Sequence, residues 1–309
     1  MTPHDGGAVS RLGPDELVAS VPGLAELGVR LDLRDFRKLP SADLGFADVL
    51  DLLDEAGRTA ADGVVVVQGT DTIEETAFLI DLLWPDDAPV VVTGAMRNPS
   101  LPGADGPANL LAAITVAVGA PFRGLGALVV MNDEVHAARH VSKRHSSSPA
   151  AFVSPNAGPL GRVVEGRLVL TASVPRRRML ERPAIVAARI PLIVSVLGDD
   201  GVLLDGLEQR CDGLVVAGFG VGHVPGRLAE QLGAIAARIP VVLASRTGSG
   251  PVLARTYGAL GSESDLLRRG LISAGMLDPY KARVLLCVLL ANGSDRDAIA
   301  GTFRAHAGG

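Results

Sequence analysis

Short apolar runs alternate along this chain with segments whose apolar residues recur at helical spacing, and Gly, Asp or Thr marks most of the switches. Val64 to Val67 is the clearest run, four β-branched residues that read as a fully buried parallel strand. It stops at Gly69, and a helix is predicted at once. Thr72 and Glu75 have the spacing of a capping box, and Ile73, Ala77, Ile80 and Trp84 supply the apolar stripe. Further strands are predicted at 90–93 and 128–131, with a helix between them opening on Asp105 as N-cap. The stretch 110–122, broken by Thr115, Gly119 and Pro121, reads as a buried helix and its exit. Residues 162–170 read as a hairpin turning at Glu165-Gly166.

The stretch 172–189 is basic, holds Pro175, Pro183 and Arg176-Arg177-Arg178, and reads as a connection. A second alternation follows. Strands are predicted within 191–197, 214–217 and 241–244, and helices at 226–239, 279–291 and 294–305, the last with Ser294 as N-cap. No repeat and no low-complexity tract is visible. The pattern predicts an α/β protein with a mostly parallel, doubly wound sheet in a larger domain at 1–171. A smaller α/β domain follows at 190–309, joined to the first by 172–189.

Composition narrows the function. The chain has 309 residues, 48% of them apolar, but no apolar run nears the ~18 residues that cross a bilayer. Net charge is −5, the basic residues are scattered and aromatics make up 3%, which argues against nucleic acid and anionic membrane. Cys211 and Cys287 make no disulfide framework, and Cys287 sits in an apolar run as a small core residue. That usage, with no visible signal peptide, predicts a cytoplasmic protein.

Thr70 and Asp71 fall in the turn between the end of a strand and the start of a helix. Open α/β sheets bind ligands there, where backbone N–H groups point outward. Competing constellations are poorer. His136, His140 and His145 lack the Glu of a helical metal site, so no metal is expected. Gly218-Phe219-Gly220-Val221-Gly222 misses the third glycine of the dinucleotide fingerprint, and no P-loop or nucleophile elbow is present, so no cofactor is expected.

Gly69-Thr70-Asp71-Thr72-Ile73-Glu74-Glu75-Thr76, Thr93-Gly94-Ala95-Met96-Arg97 and Ala104-Asp105-Gly106-Pro107-Ala108-Asn109-Leu110 come in order. Met131-Asn132-Asp133, Ser154-Pro155-Asn156, Gly158-Pro159-Leu160-Gly161 and Leu277-Asp278-Pro279-Tyr280-Lys281-Ala282-Arg283 follow. Together these strings resemble the bacterial-type L-asparaginase family over nearly the whole chain. The resemblance implies a flavodoxin-like smaller domain and hydrolysis of L-asparagine to L-aspartate and ammonia. It implies a threonine nucleophile, with Thr70, Asp71 and Lys143 as the recognisable set. Thr70 would be activated through Lys143 or would orient water. Asp71 would bind the substrate ammonium, and the backbone N–H groups of the turn at Gly69 would help hold the oxyanion. A lysine can serve as base only when burial or nearby charge leaves a neutral fraction.

By the same resemblance Glu263 and His223 reach the substrate of a neighbouring subunit, in a homo-oligomer, most simply a tetramer. A family serine that meets the substrate carboxylate has no clear match, and Arg37 and Ser41 are the residues that could replace it. An amidase subunit acting on glutamyl-tRNA would carry a further amino-terminal domain, of which the sequence shows no sign. The family's opening strand, ending Thr-Gly-Gly-Thr-Ile with the second threonine as nucleophile, is not in the sequence. The expectation is that Met1 lies downstream of that strand. The alternative is a catalytically impaired homologue that binds an amino acid or serves a structural role.

Overall fold

A computed structural model describes residues 13–174 and 179–307, together with the backbone of 2–4 and 7–9. The predicted connection residues 175–178 lie outside the described residues. The chain divides into two compact units, 1–179 and 180–309.

Unit 1 opens with a hairpin of β1 (Thr2–His4) and β2 (Gly7–Val9), then α1 (Pro14–Ala19) and α2 (Phe46–Gly57). Next come β3 (Val64–Val67), α3 (Ile73–Leu83), β4 (Val90–Thr93), α4 (Gly106–Ala117) and β5 (Ala127–Met131). β6 (Glu134–Ala137), β7 (Ser142–Lys143), β8 (Phe152–Val153), β9 (Gly161–Val164) and β10 (Arg167–Leu170) complete it. The main sheet has the order β10-β9-β6-β5-β4-β3, with β3, β4 and β5 parallel and the other three joined antiparallel. Two tight turns make the antiparallel half possible. Asn132 and Asp133 both have positive φ between β5 and β6, as do Glu165 and Gly166 between β9 and β10, the primed turn that suits strand twist.

Alternation along the strands covers both faces of this sheet. Val91, Leu128 and Val130 pack with Ala113, Val116 and Ala117 of α4, while α3 packs on β4 and β5 from the other side. Ile73, Ala77, Ile80 and Trp84 are all buried, as their spacing predicts. The predicted capping box is not formed. Thr72 sits at the N-cap, but its hydroxyl donates to the Ser41 carbonyl at 2.9 Å instead of accepting from the helix. A lost side-chain cap costs about 1 kcal/mol. Burying Ile73 and Ile80 contributes about 1.5–3 kcal/mol each, so the helix stands regardless.

β3 pairs with β4 in parallel, but it is not fully buried. It is the last strand of the sheet, and Val67 is 45% exposed. Val29-Arg30-Leu31-Asp32-Leu33 runs nearby with strand-like alternation, apolar residues half-buried and charged ones exposed, yet joins no ladder among the described residues. A cleft of ≈ 1940 Å³ is lined by Val29, Leu31 and Leu33 and by all four valines of β3.

Unit 2 holds β11 (Leu192–Val194), β12 (Leu214–Gly218), α5 (Ala229–Ala236), β13 (Val241–Ser245), α6 (Glu263–Arg268), β14 (Ile272–Ser273), α7 (Pro279–Ala291) and α8 (Arg296–Ala307). Its four strands are parallel in the order β11-β12-β13-β14. Leu214, Val216, Val241 and Leu243 meet Leu232, Ile235 and Ala236 of α5, and α7 packs against β11, β12 and β13. The last helix starts one residue later than its sequence suggests. Asp295, not Ser294, accepts from the Ala298 N–H at 2.8 Å, because a carboxylate competes well for the positive end of a helix.

Candidate active site

The turn after β3 carries Thr70 and Asp71, and β7 carries Lys143. Lys143 Nζ donates to Thr70 Oγ1 at 2.9 Å and to Asp71 Oδ1 at 3.2 Å. Lys143 is largely enclosed, while the Asp71 side chain is 66% exposed and open to a ligand. The β7–β8 pairing, Ser142 with Val153 and Lys143 with Phe152, fixes the lysine backbone.

Ser41 completes this cluster. Its hydroxyl accepts from the Asp71 N–H at 3.2 Å and lies 3.4 Å from Asp71 Oδ2. Arg37 is held elsewhere, on Asp51 at 2.8 Å and Asp48 at 3.4 Å. Of the two residues left open by the sequence, Ser41 is the one beside the site. Gly69 leaves room for it: a Cβ there would stand 2.6 Å from Ser41 Oγ. The signal was faint because Ser41 opens a one-turn 3₁₀ helix, Ser41–Asp43, after a stretch with no periodicity.

Asp105 is at the N-cap of α4 but does not cap it. Its carboxylate accepts from the N–H groups of Met96 at 2.9 Å and Arg97 at 2.8 Å. His136 is buried in β6 with Nδ1 3.0 Å from Ser154 Oγ. Burial lowers its pKa to about 4, Arg162 adding to the effect and Glu134 opposing it.

In unit 2, Glu263 is fully buried at the start of α6. Its carboxylate accepts from the N–H groups of Thr256 at 3.1 Å and Tyr257 at 2.8 Å, and from His223 Nε2 at 3.0 Å. Burial works to raise its pKa, but the backbone donors and His223 outweigh it and hold the carboxyl below the usual range. His223 keeps an exposed edge and meets the Tyr257 ring edge-on at 5.0 Å. The structure therefore pairs Glu263 with His223 and encloses the carboxylate.

Two family models match the chain: asparaginase, N-terminal, over residues 1–176, and glutaminase/asparaginase C-terminal domain, over 189–303. The chain belongs to the asparaginase family. It is an amidohydrolase of the asparaginase type. A probable L-asparaginase of Deinococcus radiodurans is 38% identical over 312 residues, covering 97% of this chain and 95% of that one. An L-asparaginase of Bacillus licheniformis is 33% identical, covering 93% and 88%. Among solved structures, a probable cytoplasmic L-asparaginase from Campylobacter jejuni superposes with a TM-score of 0.85 at 32% identity, covering 94% of this chain and 93% of that one. The two-domain α/β fold is that of the asparaginases. No helix of the described residues is long and apolar enough to cross a membrane.

Proposed function

We propose that this protein hydrolyses L-asparagine to L-aspartate and ammonia with Thr70 as nucleophile. The observation that carries the reading is the 2.9 Å contact of Lys143 Nζ with Thr70 Oγ1, beside an exposed carboxylate. A threonine hydroxyl is a weak nucleophile and needs a base. Lys143 serves as the base that takes the hydroxyl proton as Oγ1 attacks the side-chain amide carbon. That proton passes to the amide nitrogen, which departs as ammonia, and water then cleaves the ester to aspartate and restores the hydroxyl. Asp71 binds the substrate ammonium by a charge-assisted hydrogen bond, Ser41 lies in place for its carboxylate, and backbone N–H groups of the turn hold the oxyanion.

We further propose a homo-tetramer in which each site is completed by His223 of the partner subunit, with Glu263 of the partner subunit behind it. Burial of the Glu263 carboxylate supports this order of contact. The second reading is an impaired homologue that binds the amino acid without turnover. It is favoured by the place of β3 as the last strand of its sheet among the described residues, with Val67 exposed beside the site turn. Ammonia release from asparagine, measured beside asparagine binding by calorimetry, separates the two: heat of binding without ammonia supports the second.

A further inference from the structure

We propose that Asn109 is a positioning residue for Thr70, acting through Gly94, with Asp105 holding the amide in place. The inference rests on the reading of Thr70 as the nucleophile. Asn109 lies on α4, is 2% exposed, and touches neither Thr70 nor Lys143 by any hydrogen bond. Its amide is fully used. Nδ2 donates to the Gly94 carbonyl at 2.9 Å and to Asp105 Oδ2 at 3.1 Å, and Oδ1 accepts from the Asn132 N–H at 2.9 Å. One side chain thus ties the segment leaving β4 to the segment leaving β5. Asp105 reinforces the first by accepting from Met96 and Arg97, at the expense of capping its own helix.

Gly94 is the link to the chemistry. A Cβ at Gly94 would stand 2.5 Å from the Gln68 carbonyl, 3.2 Å from Thr70 Cγ2 and 3.4 Å from Ile73 Cδ1. The Thr70 methyl therefore lies against the Gly94 position, where even one added carbon would crowd it. Threonine is stiff about χ1, and its methyl and hydroxyl share one carbon. A fixed methyl fixes the hydroxyl, here aimed at Lys143 Nζ. Displacing a reacting group by about 1 Å can cost about 10²-fold in rate.

The test uses Asn109→Leu, alike in branching and number of heavy atoms but without the three hydrogen bonds, in protein carrying 13C-methyl threonine. The unsubstituted protein should give a Thr70 methyl signal with the three-bond couplings of one rotamer. Asn109→Leu should average those couplings, and where turnover is measurable kcat should fall about 10²-fold with KM changed less than about 3-fold. Asn109→Asp is the second variant, and carries the test if Asn109→Leu does not fold. Its carboxyl can donate to Gly94 only when protonated, so its Thr70 couplings should return toward the one-rotamer values as the pH is lowered. A Thr70 methyl that keeps one rotamer in Asn109→Leu, or in Asn109→Asp at all pH values, overturns the proposal. If Thr70→Ala turns over normally, the nucleophile reading fails, and the methyl couplings still decide whether Asn109 positions Thr70.

Discussion

Thr70 and Lys143 are 73 positions apart in the chain, yet their side chains meet at 2.9 Å. Neither serves the hydrophobic core, since Thr70 lies in the turn after β3 and Lys143 on the two-stranded β7–β8 ribbon. Thr70→Ala and Lys143→Met should each lower kcat by about 10²–10⁴-fold while moving stability little. Ammonia-release kinetics with a thermal melt of the same samples checks this. Near-normal turnover in either variant would sink the assignment.

His136 makes unit 1 sensitive to acid. In the unfolded chain it takes up a proton near the ordinary pH of 6.5, and in the fold only near 4. As the pH falls below 6.5 the unfolded state binds that proton first, and stability is lost until the pH passes the folded value. The full loss is about 3 kcal/mol. Urea titrations across this window should show it, and His136→Gln should flatten that part of the profile. An unchanged slope in the variant would assign the acid sensitivity to other groups.

Glu263 supports two backbone N–H groups and an imidazole at once. Glu263→Ala should destabilise unit 2 by about 1–3 kcal/mol, since it strands buried donors. In an active assembly it should also raise KM, and His223→Ala should raise KM with a smaller stability loss, since Glu263 keeps its two backbone donors. Equal melting of Glu263→Ala and the parent would contradict the geometry.

The proposed assembly has a simple probe in unit 2. Val196, Leu197, Val202 and Leu203 are exposed within eight positions of one another, Leu197 at 98%. Such apolar patches commonly mark interfaces. Leu197→Asp should shift the protein to smaller species in light scattering, with loss of activity. A monomer that is fully active before any substitution would reject the shared site.

The strands, their helices and the Glu165-Gly166 hairpin were legible because period and turn chemistry are local properties. Thr72 and Asp105 look like caps and are not, because their partners, the Ser41 carbonyl and the Met96 and Arg97 N–H groups, lie outside the helices they would cap. The edge position of β3 was hidden for a similar reason: four valines look the same whether one or two neighbours flank them. At the site, the Thr70–Asp71 turn could be read directly. The approach of Lys143 was available only from resemblance, and the enclosure of Glu263 from neither.

Two helices of unit 1, α3 and α4, begin on side chains that could have closed their first turns but bond elsewhere, Thr72 to the Ser41 carbonyl and Asp105 to the Met96 and Arg97 N–H groups. Amide hydrogen exchange should therefore be fastest, among the helices flanking the sheet, in those two opening turns. A search for heat-resistant variants would find easy gains there by restoring ordinary caps. Each gain would pull Ser41 or the Met96–Arg97 backbone away from its anchor, so tolerance of heat and readiness to bind oppose one another at the same two positions.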